Sequence, residues 1–143
     1  MKKLIIVALS ALLLAACSDD KQDTSNTVKK DKVESNEPSQ AELDAKLKKE
    51  ATQADFVEMN GETTEKNTKV FAEGNIDVVI TDGTIGEFTL STKEDGGIGM
   101  YTVKSFIPDA KFTKGDKVKV YGTYGGKDDT GMPIINTTIL EHK

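Results

Sequence analysis

The chain has 143 residues, with 19 basic side chains that are all lysine, 24 acidic ones and a formal charge of −5. That length suits one domain, and the acidic balance works against generic binding to phosphate backbones. The absence of arginine removes the commonest bidentate reader of phosphate and guanine, and a single cysteine excludes an internal disulfide.

Lys2 and Lys3 precede an apolar run from Leu4 to Leu14, and Ala15-Ala16-Cys17 then leads into the polar Ser18-Asp19-Asp20. A basic start, a short apolar stretch and small residues before a cut are the marks of an export signal. The run falls short of the roughly 20 residues that cross a bilayer. The stretch Leu14-Ala15-Ala16-Cys17 resembles the lipobox of bacterial lipoproteins. The resemblance implies a signal peptide over residues 1–17 and a diacylglyceryl thioether, with palmitate-type chains, on Cys17. Cys17 then becomes the new N-terminus, and the expected location is the extracytoplasmic face of the cell membrane, lipid-anchored. Two acyl chains, at about 0.8 kcal/mol per buried methylene, hold a protein durably on a bilayer. The competing reading of Cys17 is a buried free thiol or an uncleaved anchor, and Asp19 and Asp20 beside it speak against burial. Losing Lys2 and Lys3 with the leader lowers the charge by two, from −5 to −7.

Residues 18–38 are polar, with Val28 and Val33 as their only aliphatics. Such a stretch buries too little surface to offset its ordering entropy. The expectation is a disordered tether spanning roughly 25 Å. Ser39-Gln40-Ala41-Glu42 fits a capping box. Leu43, Leu47, Ala51 and Ala54 then recur on one helix face. This helix packs on the domain through that narrow stripe, or it stands at the periphery where the tether ends.

Asn60-Gly61 reads as a turn, and strands follow. Val70, Ala72, Ile76 and Val78 alternate with Phe71, Glu73, Asn75 and Asp77, and Gly74 marks a bend between them. Glu87 to Thr92, Met100 to Phe106, Lys117 to Tyr124 and Ile134 to Leu140 are four further strands, separated by glycine turns and by Pro108. A flat five-stranded sheet would expose one apolar face and two edges, so closure is favoured. The reading is a mainly all-β domain over residues 39–143: a five-stranded small barrel with an N-terminal helix. Lys69-Val70-Phe71-Ala72-Glu73-Gly74, Lys114-Gly115-Asp116-Lys117-Val118-Lys119-Val120-Tyr121-Gly122 and the Ile/Thr-rich last strand resemble the OB-fold. More narrowly, they resemble the tRNA-anticodon-like OB domains of exported bacterial lipoproteins, over roughly residues 54–142. The stretch Ile107 to Thr113 departs from that pattern: with its proline it leaves room for one helical turn at most.

Catalytic parts are missing. His142 is the only histidine and lies at the C-terminal end, so general acid–base and nucleophilic chemistry lack a partnered base. The usual Cys and His ligands of zinc are absent too. Asp128-Asp129 and Glu94-Asp95 offer loop oxygens, but a calcium site needs six to eight at defined spacing. The expectation is a protein that is not an enzyme and needs no metal or cofactor. It is a binding module for an unidentified envelope ligand or protein, with single-stranded nucleic acid or an oligosaccharide as the alternative. OB-folds hold strands by stacking on aromatic side chains. The candidate ligand residues are therefore Phe71, Tyr101, Lys119, Tyr121, Tyr124 and Lys127, with Lys69 and Lys104 near them. Phe71 and Tyr121 are out of phase with their apolar neighbours and face outward. The competing reading buries Phe71 and Tyr101 in the barrel or under the helix. Asp82–Gly86 and Gly125–Met132 are the rim loops.

Overall fold

A computed structural model describes residues 37–143 apart from Thr84. The leader, Cys17 and all but the last two residues of the expected tether lie outside the described residues. Among those described, no helix is long and apolar enough to cross a membrane.

Helix α1 spans Gln40–Glu50 and starts as its sequence demands. The Glu42 amide donates to Ser39 Oγ at 3.4 Å, and the Ser39 amide donates to Glu42 Oε2 at 2.8 Å. The box satisfies the Ser39 amide and adds to the bond that the Glu42 amide makes to Ser39 O at 3.0 Å. Lys48 and Lys49 in the last turn complement the negative helix end. The apolar stripe is shorter than its periodicity implied. The helix stops at Glu50, and no residue in it is buried. Ala54 is buried, but from extended chain, with its amide donating to Phe71 O at 2.8 Å. Strand β1, Thr52–Gln53, runs parallel to the start of the next strand, with Thr52 beside Val70 and Gln53 beside Phe71.

Helix α2, Phe56–Asn60, occupies the place read as a simple turn. Asp55 caps it by accepting from the Glu58 amide at 2.9 Å. Its buried residue, Met59, enters the core, and the Tyr124 hydroxyl donates to Met59 O at 3.0 Å.

Five long strands follow: β2 (Lys69–Thr81), β3 (Gly86–Glu94), β4 (Gly97–Ser105), β5 (Lys117–Lys127) and β6 (Pro133–His142). Their order is β2-β3-β4-β6-β5, and β5 pairs back onto β2, so the sheet closes into an OB-like barrel. Only the β4–β6 pair within that ring is parallel. β2 serves both halves. Its residues 69–75 pair with β5, and 74–81 pair with β3. Gly74 stands in both ladders, and a Cβ there would lie 1.9 Å from Ser91 O. The bend needs glycine for that close approach.

Alternation sends Val70, Ala72, Ile76, Phe88, Leu90, Tyr101, Val103, Val118, Val120 and Ile135 into one core. Met59 plugs it from α2. Phe112, in the turn-only segment between β4 and β5, packs on Phe88 with ring centroids 4.8 Å apart. That segment carries no helix, within the one turn at most that its proline allows. Gly125 and Gly126 belong to β5 rather than to a loop, and the β5–β6 connection is confined to residues 128–132.

Candidate functional site

The β2–β5 ladder sets the outer face of one side of the barrel. Its register places Lys69 beside Thr123, Phe71 beside Tyr121 and Glu73 beside Lys119. Their neighbours Val70, Ala72, Val118 and Val120 point inward and are buried, so these three rows point away from the core, with Phe71 half-buried and Tyr121 only 9% exposed. The Phe71 and Tyr121 rings tilt together at 5.8 Å between centroids. Lys119 Nζ lies 4.2 Å from the Phe71 centroid and 5.2 Å from that of Tyr121. Such contacts contribute about 0.5–1 kcal/mol each at exposed sites.

Charged neighbours frame the rings. Lys48 of α1 reaches over Tyr121 at 5.7 Å and pairs with Glu141 at 2.7 Å. The hydrogen bond to Glu141 raises the Lys48 pKa, and the same contact lowers that of Glu141. Glu50 meets Lys69, and Glu73 pairs with Lys117 at 3.0 Å. Their lysine partners lower both carboxyl pKa values. These pairs are exposed, so each adds little stability. Their effect is to order the face. Alongside it runs a groove of about 480 Å³ lined by Gln53, Phe71, Glu73, Asn75, Lys93 and Lys117, among others. It opens where Gly74 bends β2 and leaves no side chain.

Three of the six expected ligand residues therefore meet: Phe71, Lys119 and Tyr121. The other three do not. Tyr101 is fully buried, and its hydroxyl donates to Glu94 Oε1 at 2.5 Å. Tyr124 is 3% exposed and hydrogen-bonded to the Met59 carbonyl. The expectation that these two tyrosines line a groove is corrected: both share the inward phase of their strands. Lys127 stands six residues along β5 from Tyr121, roughly 20 Å away at about 3.4 Å per residue. It pairs there with Glu62 at 3.4 Å. Lys69 joins the face, whereas Lys104 pairs with Glu87 on β3. Sequence reading missed Lys48, Gln53, Lys93, Lys117 and Glu141. Lys117 shares the two-residue period of Lys119 and Tyr121, and that signal was sufficient to find it. Nothing local marks Lys48 or Glu141.

The carboxylates read as loop residues have structural work, Glu94 from the end of β3 and Asp128 from the β5–β6 turn. Glu94 accepts from Tyr101, from Thr92 Oγ1 at 2.7 Å and from the Phe56 amide at 2.9 Å. This ties α2 to the β3–β4 hairpin. Asp128 accepts from the Thr130 hydroxyl at 2.6 Å, the Thr102 hydroxyl at 2.7 Å, and the Thr130 and Met132 amides at 2.9 Å each. Partial burial works to raise its pKa, but these donors outweigh it and lower the value to about 2. A carboxyl lowered on folding stabilises the fold above its unfolded pKa of 3.8 and loses that contribution as pH falls toward 2. The stability gap between the parent and Asp128→Ala is therefore expected to shrink as pH falls from about 5 to about 2. Denaturant midpoints across that range measure it, and a constant gap would refute the assignment.

Among the described residues, no group of three or more His, Cys, Asp or Glu side chains comes together to hold a metal ion. No buried side-chain nitrogen or oxygen there lacks a hydrogen-bond partner. The polar groups of the interior are thus committed to the fold. No protein-family model matches the chain, and no curated protein matches it.

Proposed function

We propose that this protein is a lipid-anchored exported lipoprotein whose OB-like barrel is a non-catalytic binding module at the extracytoplasmic face of the membrane. Leu14-Ala15-Ala16-Cys17 supports the anchor. The observation that carries the binding role is the outward Phe71–Tyr121 pair under Lys119, beside a groove bent open at Gly74. Tethered to the membrane through Cys17, the barrel meets ligands of the envelope. It resembles the tRNA-anticodon-like OB domains of exported lipoproteins, and the strand order agrees with an OB arrangement. That likeness implies no RNA ligand. The aromatic pair on this face favours a single-stranded oligonucleotide as the second reading, while the acidic balance and the lack of arginine oppose it.

Two measurements test the proposal. Cys17→Ser is expected to move the protein from the membrane to the soluble fraction, because the fatty chains go with the sulfur. Equal retention of mutant and parent would sink the anchor. Amide shift mapping with solubilised envelope saccharides and peptides is expected to displace resonances of Phe71, Lys119 and Tyr121. Lys119→Ala together with Phe71→Ala is expected to weaken that binding about tenfold or more, since truncating a central aromatic or charged contact costs about 1–2 kcal/mol or more. Shifts confined to any other face would overturn the site.

A further inference from the structure

Among the described residues, eight large apolar side chains stand exposed, and four of them belong to one end of the barrel: Val78, Ile80, Ile85 and Phe106. β2 leaves the barrel there, β3 enters and β4 ends. The last rungs pair Thr81 with Glu87 and Gly86 with Ser105. Ile85 and Phe106 are the next residues beyond the second rung, so they are neighbours across the strand ends. β2 runs six residues past Asn75, its last partner in the β5 ladder, so its hairpin with β3 projects from the barrel.

This placement is held by the fold. The Phe106 amide donates to Thr137 O at 2.9 Å, and the Thr81 hydroxyl donates to Ile85 O at 3.3 Å. Val79 packs on the core, where Phe88 and Phe112 already fill the space behind it. The register shift between Val79 and Thr81 leaves Ile80 turned out. Single exposed aliphatics are ordinary, whereas a cluster at one projecting end marks a contact.

The rest of the chain says what that contact is. The lipobox-like Leu14-Ala15-Ala16-Cys17 puts fatty chains, and with them a bilayer, at the end of a tether that spans roughly 25 Å. A surface held so near acts at an effective concentration on the order of millimolar, so a small apolar contact is enough to engage it. Residues 80–87 and 104–114 carry Asp82, Glu87 and Asp109 against Lys104, Lys111 and Lys114. Their charges balance, which leaves apolar burial as the attraction. Asp82 holds the turn at headgroup depth, because a carboxylate is costly in hydrocarbon.

We propose that this end of the barrel is a second membrane contact, at which Ile80, Ile85 and Phe106 dip into the headgroup layer of the bilayer that holds Cys17. The proposal rests on the lipid-anchor half of the proposed function. It fixes how the module stands on the membrane. Phe71 lies nine residues before Ile80 on β2, beyond the bend at Gly74, so the Phe71–Tyr121 face stays clear of the lipid.

The chain contains no tryptophan, so one introduced indole reports its own surroundings. Full-length protein purified from membranes is reconstituted on phosphatidylcholine vesicles brominated along their acyl chains. Ile85→Trp is expected to shift its emission to the blue and lose about half of it or more, as a side chain seated about 5–10 Å into the boundary should. Ile98→Trp, at the opposite end of the β3–β4 ladder, is expected to keep its emission. Adding Phe106→Asp to Ile85→Trp is expected to restore about half of the lost signal or more, because the new charge resists the lipid. Flotation of the same vesicles scores the anchor separately. A chain that floats with Ile85→Trp unquenched overturns the contact and leaves the anchor standing, and the apolar end then belongs to a protein partner. A chain that fails to float overturns both. Equal quenching of Ile85→Trp and Ile98→Trp overturns the assigned end. A blue shift of Ile85→Trp that appears without vesicles and grows with protein concentration makes a second copy the occupant and also overturns the proposal.

Discussion

Gly122→Ala is expected to lower the melting temperature by roughly 12–24 °C, from about 3 kcal/mol of overpacking at about 4–8 °C per kcal/mol for a domain of this size. Gly122 stands on β5 where that strand shifts register against β6. A Cβ there would lie 1.9 Å from Asn136 O and 2.8 Å from Thr137 Cα. Both atoms are backbone, so relief requires moving a strand rather than rotating a side chain. Gly122 also pairs with Val70 of β2, so the displaced strand is one that closes the barrel. Gly96→Ala is the control. Its Cβ would meet nothing within 4 Å, and the expected change is within about 0.5 kcal/mol. Thermal unfolding followed by circular dichroism separates the two. Equal melting temperatures for both variants would show that the strand spacing at Gly122 is wrong.

Tyr101→Ala is expected to cost about 3–5 kcal/mol, as for other large buried side chains truncated in a core. The ring is fully buried, and it meets Phe56 edge-on at 6.0 Å. Tyr101→Phe isolates the hydroxyl. It is expected to cost about 1.5–3 kcal/mol, the range for a hydrogen bond to a charged group, because Glu94 loses one of its three donors. Burial, then the hydrogen bond and charge of Glu94, push the Tyr101 phenol well above its ordinary value of 10.0. An acid whose pKa rises on folding contributes its full stability below the unfolded pKa and loses it above. The parent should therefore weaken relative to Tyr101→Phe as pH climbs from about 9 to about 11. Denaturant midpoints at those two pH values decide the matter. A hydroxyl effect that is absent near pH 9, or that grows by pH 11, would contradict the buried contact.

These two residues also show where reading the chain worked. Tyr101 shares a phase with Val103 and Ser105, and Tyr124 shares one with Val118 and Val120. Strict alternation puts both rings inside, and treating them as ligand residues gave aromatic character more weight than phase. Phe71 and Tyr121 break phase with their apolar neighbours and do lie on the outer face. Lys127 has the right chemistry, but it stands too far along β5 to join them. Helix α2 escaped notice because five residues are too few to show a helical period. Its Asp55 cap and Asn60-Gly61 end look the same as an ordinary turn.

Local chemistry in the chain was enough for the capping box at Ser39, the five alternating strands, the bend at Gly74 and the missing helix before β5. Each depends on residues a few positions apart, whose periodicity and backbone freedom act without distant partners. Only the folded chain decided which faces meet. Phe71 lies beside Tyr121 because β2 closes onto β5, fifty positions further along the chain. Lys48 reaches Tyr121 and Glu141 because α1 folds back across that seam. Contacts of such sequence separation arise from strand register and closure, and no short stretch of the sequence encodes them alone.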